Sequence, residues 1–226
     1  MSRFNKKHQE RRTEIIQTAS SLFQKLGYQN TSVNLIIETL GISKGAFYHY
    51  FKSKEQLLDA LVELFVEEVI AVVQPIVERQ DIDAITKFNL FYKTGGLYKA
   101  NNLDRIRVLL TAIYDPTNIL LRHKLNERSV KITLPFLKSI FEQGRQENSF
   151  KIDDPESVAR LILQMATSIS EYNANLILGI QEKPENLELL KISFRTYQQA
   201  VSRILGIEDG LLHIYNTEFL HKIARI

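Results

Sequence analysis

Apolar residues recur along this chain at intervals of three and four, and no stretch alternates apolar with polar long enough to predict a strand. Ile15, Ile16, Ala19, Leu22, Phe23 and Leu26 share one face of a helix over 11–26, and Gly27 follows as a stop. Val33, Ile36, Ile37 and Leu40 predict a second, short helix ending at Gly41. Ser43 can cap a third that buries Phe47, Tyr50 and Phe51. Ser53 opens a fourth, with Gln56 spaced to complete a capping box. Leu57, Leu58, Leu61, Leu64, Phe65, Val69 and Val72 carry that helix to just before Pro75.

Further along, the periodicity predicts helices near 82–94, 103–114, 117–147 (kinked at Pro135), 155–180, 185–205 and 208–225. Breaks are expected at Gly95-Gly96, Asp115-Pro116, Asp153-Asp154-Pro155, Lys183-Pro184 and Gly206. The expected fold is all-α, with the fourth helix shared between two domains rather than replaced by a flexible linker.

Composition narrows the classes. With 44% hydrophobic and 24% charged residues, 9 Gly and 5 Pro in 226, the chain reads as globular. The absence of cysteine excludes disulfides, thiolate metal sites and a thiol nucleophile. The longest apolar candidate, Leu61 to Val77, is interrupted by Glu63, Glu67, Glu68 and Pro75, so no membrane span is expected. The polar, basic start lacks a secretory apolar segment, and a cytoplasmic location is expected. Phosphate-loop, serine-hydrolase, zinc-protease and dinucleotide signatures are all missing. No enzyme, cofactor or metal site is expected.

The net charge of +3 hides an asymmetry. Residues 1–54 hold nine Lys/Arg against three acids, whereas the remainder is net acidic. A basic first quarter is the footprint of a polyanion-binding module, or equally of a solvated basic face. The basic arm Arg3, Lys6, Lys7, Arg11 and Arg12 reads equally as a segment that tracks a minor groove or phosphates and as a disordered solubilising tail.

Two short helices joined by Gly41-Ile42-Ser43 match the helix-turn-helix plan. On the second of them Phe47, Tyr50 and Phe51 fall on one face, while Gly45, Tyr48, His49 and Lys52 fall opposite and Lys44 flanks them. A core has no use for that outward set, but a DNA major groove does. Gly45 permits close approach of the helix start, where free amides favour phosphate. Lys44 can donate to guanine or phosphate, Tyr48 offers a hydroxyl and a ring, and His49 can donate to a base edge. Lys54 adds an amine at the start of the fourth helix.

The stretches Asn30-Thr31-Ser32-Val33, Gly41 through Phe51, and Lys52-Ser53-Lys54-Glu55-Gln56-Leu57-Leu58 resemble the DNA-binding domain of the TetR family of bacterial transcription regulators. The resemblance covers roughly residues 10–60. It implies a three-helix DNA-binding head over 8–54, the helix over 54–74 as connector, and a larger domain within 55–226 that binds a small molecule and dimerises. It implies phosphate contacts from Thr31 or Ser32, Tyr48 and Lys54, and base-edge contacts from Lys44, Gly45 and His49. Ser43 belongs to the same DNA-binding set. Gly144 through Phe150, followed by Asp154-Pro155-Glu156, is similar to a family stretch in which Asn148 replaces the second glycine.

Polar side chains within apolar helical faces supply the candidate effector residues: Tyr92, Tyr98, Tyr114, Gln164 and Tyr172. The apolar stripes near 155–180 and 185–205 suit a four-helix bundle between two copies, and equally a monomeric core; the resemblance favours the homodimer. The expected function is a repressor released from a pseudo-palindromic operator when an unidentified small molecule binds. The alternative is a small-molecule-binding or adaptor protein with a non-functional helix-turn-helix head.

Overall fold

In the computed structural model, residues 3–215 and 217–223 are described, with the side chains of residues 3–7, 217 and 221 left aside. The described residues form helices and connecting loops, with no strand among them. In chain order the helices are α1 (Arg3–Leu26), α2 (Val33–Leu40), α3 (Lys44–Tyr50), α4 (Lys54–Val77), α5 (Ala84–Asn101) and α6 (Leu103–Ile113). A 3-10 turn over Pro116–Asn118 leads into α7 (Ile119–Gln146), α8 (Pro155–Leu178), α9 (Asn186–Leu205) and α10 (Thr217–Ile223).

The chain folds as two compact units. One runs to Phe65 and includes Asp104–Leu125; the other comprises Val66–Leu103 and the chain from Asn126 onward. The junction at Phe65 and Val66 lies inside α4.

In the first unit the apolar stripe of α1 (Ile15, Ile16, Ala19, Phe23) is buried, as are Ile36 and Ile37 of α2, Phe47, Phe51, and Leu57, Leu58 and Leu61 of α4. α1 packs on α2, and α2 on α3. α1 starts a full two turns before the expected residue 11. It therefore carries the basic arm as helix, though the side chains of Arg3, Lys6 and Lys7 lie outside the described residues.

In the second unit, the main core joins Phe88 of α5, Leu137, Ile140 and Phe141 of α7, Ile162 of α8, and Tyr197, Val201 and Leu205 of α9. A smaller core gathers Leu103, Leu176, Ile180, Leu190, Leu220 and Ile223. Asp154 opens α8 by accepting from the backbone amides of Glu156 and Ser157, with Pro155 at the first helical position.

Three expected boundaries are corrected. Gly95 and Gly96 do not break a helix: α5 continues to Asn101, with Gly95 buried against Val69 and Val73 of α4. Pro75 lies inside α4, close enough to its end at Val77 that the missing amide costs only a terminal bond. Residues 208–215 are not helical; among the described residues of that stretch the helix is Thr217–Ile223. Gly210 turns at φ +93°, and side chains tie down the extended segment that follows. Asn89 donates to the Leu211 carbonyl and accepts from the His213 amide, each at 2.8 Å. Gln198 accepts from the Ile214 amide at 3.0 Å.

Candidate nucleic-acid interface

The site begins with two side-chain caps and a left-handed glycine. Ser32 accepts from the Leu35 amide to start α2. Gly41 ends it at φ +61°, donating its amide to the Glu38 and Ile37 carbonyls. Ser43 accepts from the Ala46 amide to start α3. Each cap satisfies an amide that a helix start would otherwise leave open. The angle between α2 and α3 is thus fixed by local bonds, and burial of Phe47 and Phe51 seats α3 on the head.

The opposite side of α3 faces outward. Lys44, Gly45, Tyr48 and His49 are all exposed, and the space around Gly45 is open save for the Ser43 hydroxyl. Ser32 and Ser43 are exposed as well, at the starts of the two helices. His8 of α1, which the sequence pattern did not single out, meets His49 edge-on at 5.5 Å and Tyr50 at 4.6 Å between ring centroids.

Two members of the expected DNA-binding set bond within the head itself. Thr31 is fully buried and donates its hydroxyl to the Gly27 carbonyl at 2.8 Å, so it faces the loop rather than a groove. The Lys54 amine donates to the Tyr28 carbonyl at 2.9 Å and lies 4.2 Å from the centre of the Tyr28 ring. Partial burial lowers its pKa, against the raising effect of Glu55 and Asp115. The expected capping box does form: Ser53 accepts from the Gln56 amide at 3.2 Å, and Gln56 accepts from the Lys52 amide at 2.6 Å.

The five candidate effector residues do not converge. Tyr92 packs in the main core of the second unit against Phe88 and Phe91. Its phenol neighbours that of Tyr197, and burial pushes its pKa up to about 12. Tyr197, on the apolar stripe of α9, donates to the Ile162 carbonyl at 2.9 Å. Tyr98 donates to Glu68 at 2.8 Å. Tyr114 belongs to the first unit, with the Arg122 guanidinium 5.3 Å from its ring centre. Gln164 is exposed on α8. Tyr172 lines a groove of about 480 Å³ along α8 and α9 with Met165, Ile169, Leu189, Ile192 and Tyr197.

Comparison with known proteins fits this geometry. Residues 15–61 match the family of bacterial regulatory proteins described as the tetR family. The chain is 24% identical over 164 residues to the nucleoid occlusion factor SlmA of Aliivibrio fischeri, covering 72% of this chain and 83% of that protein. It is 35% identical over 91 residues to the HTH-type transcriptional repressor KstR2 of Mycolicibacterium smegmatis, covering 40% of this chain and 41% of that one. A TetR-family transcriptional regulator from Pectobacterium atrosepticum shares the fold with a TM-score of 0.62 at 20% identity, over 87% of this chain and 97% of its own.

Proposed function

We propose, on the premise that this chain belongs to the TetR family of bacterial regulatory proteins, that it is a homodimeric repressor released from its operator by a small molecule. It is a transcriptional regulator with a helix-turn-helix head.

The observation that carries the reading is the two-sided construction of α3. Phe47 is fully buried while Lys44, Gly45, Tyr48 and His49 stand exposed on a helix fixed at its start by Ser43. In this reading Lys44 and His49 meet base edges, Gly45 lets the helix start approach, and Tyr48 and Ser32 hold phosphates. Lys54 contributes its remaining donors to the backbone while anchored to Tyr28. Thr31 supports the loop from within.

Dimerisation uses the α8 and α9 face. Leu161, Tyr172, Leu189 and Ile192 are large, apolar and exposed there, and a second copy would cover them. For the effector, Tyr92 is the best placed of the candidates. Paired with Tyr197 in an apolar core, it could orient one polar group of an otherwise apolar molecule. Release then requires only that effector and operator favour different conformations of the dimer.

Selection from a pool of random duplexes tests the reading. The expected enrichment is an inverted repeat bound by two protomers, with half-sites about one helical turn (~34–36 Å) apart or somewhat further. A pool without an enriched motif contradicts it.

A further inference from the structure

We infer that Asp115 is a positioning residue for the DNA-binding head, acting through Gln29 and Lys54; the inference rests on the DNA-binding reading above. The turn between α6 and α7 and the loop between α1 and α2 meet within the first unit. The Gln29 side-chain amide donates to Oδ2 of Asp115 at 2.6 Å. The other oxygen, Oδ1, organises its own turn, accepting from the Thr117 amide at 2.8 Å and the Thr117 hydroxyl at 2.5 Å. One carboxylate thus shapes its turn with one oxygen and reaches the head with the other. These bonds, those from Thr117 first, hold its pKa below the usual aspartate range, so it is charged at neutral pH.

Adjacent contacts close around the same loop. Asn118 is buried and donates to the Ala112 carbonyl at 2.8 Å, fastening the turn to the end of α6. Its side chain is also a neighbour of the buried Tyr28 hydroxyl. The Tyr28 carbonyl is held by Lys54, whose charge is attracted to Asp115. Tyr28 and Gln29 are therefore gripped together, four and three residues before Ser32, the cap of α2. Displacing the turn displaces the start of α2 and the aim of the Lys54 amine.

The charge makes the role separable from simple electrostatics. A carboxylate beside a DNA-facing lysine opposes phosphate, so a charge-only account predicts that its removal tightens binding to every duplex. A positioning role predicts the reverse for specific DNA. Gln29→Ala is the informative change: it removes the donor to Oδ2 and leaves Asp115 charged and its turn capped, whereas in Asp115→Asn a rotated Gln29 amide can accept from the new amide.

The experiment uses the full chain, a duplex enriched by the wild type from a random pool, and a scrambled duplex, followed by fluorescence anisotropy. Gln29→Ala should lower affinity for the enriched duplex about tenfold, and Asp115→Asn by less, with affinity for the scrambled duplex equal or higher. The exchanged pair Gln29→Glu with Asp115→Asn, in which the new amide donates to the new carboxylate, should restore most of the preference. Unchanged or tighter binding of the enriched duplex by both single variants overturns the inference. So does failure of the exchanged pair to recover. Failure of the wild type to enrich any duplex removes the DNA-binding reading itself, and is seen before any variant is made.

Discussion

The rings of Phe47 and Tyr48 stand edge-on, with centroids 5.5 Å apart and planes at 89°. One is fully buried and the other 51% exposed. Consecutive residues on a helix point about 100° apart, so one turn can hold a core anchor beside a solvent-facing phenol. The anchor keeps α3 in place; the phenol is what the helix offers to a partner.

That division predicts opposite phenotypes. Phe47→Ala should destabilise the head by about 3–5 kcal/mol through the cavity it leaves. Tyr48→Ala should stay within about 0.5 kcal/mol in stability, the range for an exposed site, while lowering DNA affinity for all sequences. Urea unfolding paired with anisotropy separates them. A Tyr48→Ala protein that unfolds as readily as Phe47→Ala would mean the ring is structural.

Alkaline pH should unfold the second unit partly through Tyr92. Its phenol has an ordinary pKa of 10.0, raised by burial to about 12. Below pH 10 it is neutral in both states, so its contribution is fully present there. Between pH 10 and 12 the unfolded chain releases the proton and the folded one does not, and stability on the order of 2 kcal/mol is lost. Tyr92→Phe should flatten this part of the profile in urea titrations at stepped pH. An unchanged slope between pH 10 and 12 would contradict the assignment.

The exposed α8 and α9 face predicts a change of assembly. Ile192→Glu places a charge where Leu189 and Tyr172 line the same groove, and should yield a monomer by sedimentation velocity with helicity retained. A dimer that survives the substitution would place the interface elsewhere.

Gly144 and Asn148 make a pair of local tests. A Cβ on Gly144 would fall 2.1 Å from the Phe150 ring, and Phe150 is 2% exposed, so the ring has little room to yield. Gly144→Ala should cost about 1–3 kcal/mol or more. Asn148 sits at φ +59°, in the left-handed region that glycine adopts freely and asparagine tolerates. Asn148→Gly should be neutral or stabilising, within about 1 kcal/mol. Thermal unfolding of both variants checks the two signs.

The head was legible because its rules are local. Ser32, Ser43 and the Ser53–Gln56 box act within four residues, and the apolar spacing of α1 through α4 belongs to single helices. Thr31 and Lys54 show where this stops. Both looked like DNA contacts by position, yet each bonds a carbonyl of the Gly27-Tyr28 turn, Lys54 from 26 residues away. Gln29 and Asp115, 86 residues apart, left no periodic trace. Gly95-Gly96 reads as a break in any propensity sum, but packing against Val69 and Val73 outweighs it. The candidate effector residues are dispersed over separate contacts, because a polar residue on an apolar face gives no clue to its partner. Tyr92 found Tyr197, Tyr98 found Glu68, and Tyr172 remained on an open groove.

The central claim is that the exposed face of α3 reads sequence. Its most direct test is the affinity ratio between an enriched duplex and its scrambled counterpart, measured at low and high salt for the wild type and for Lys44→Ala with His49→Ala. A ratio of about 10³ or more that persists at high salt, and collapses in the double variant while nonspecific binding changes little, is the predicted result. Equal affinity for both duplexes, vanishing together as salt rises, would contradict it and leave only a basic surface.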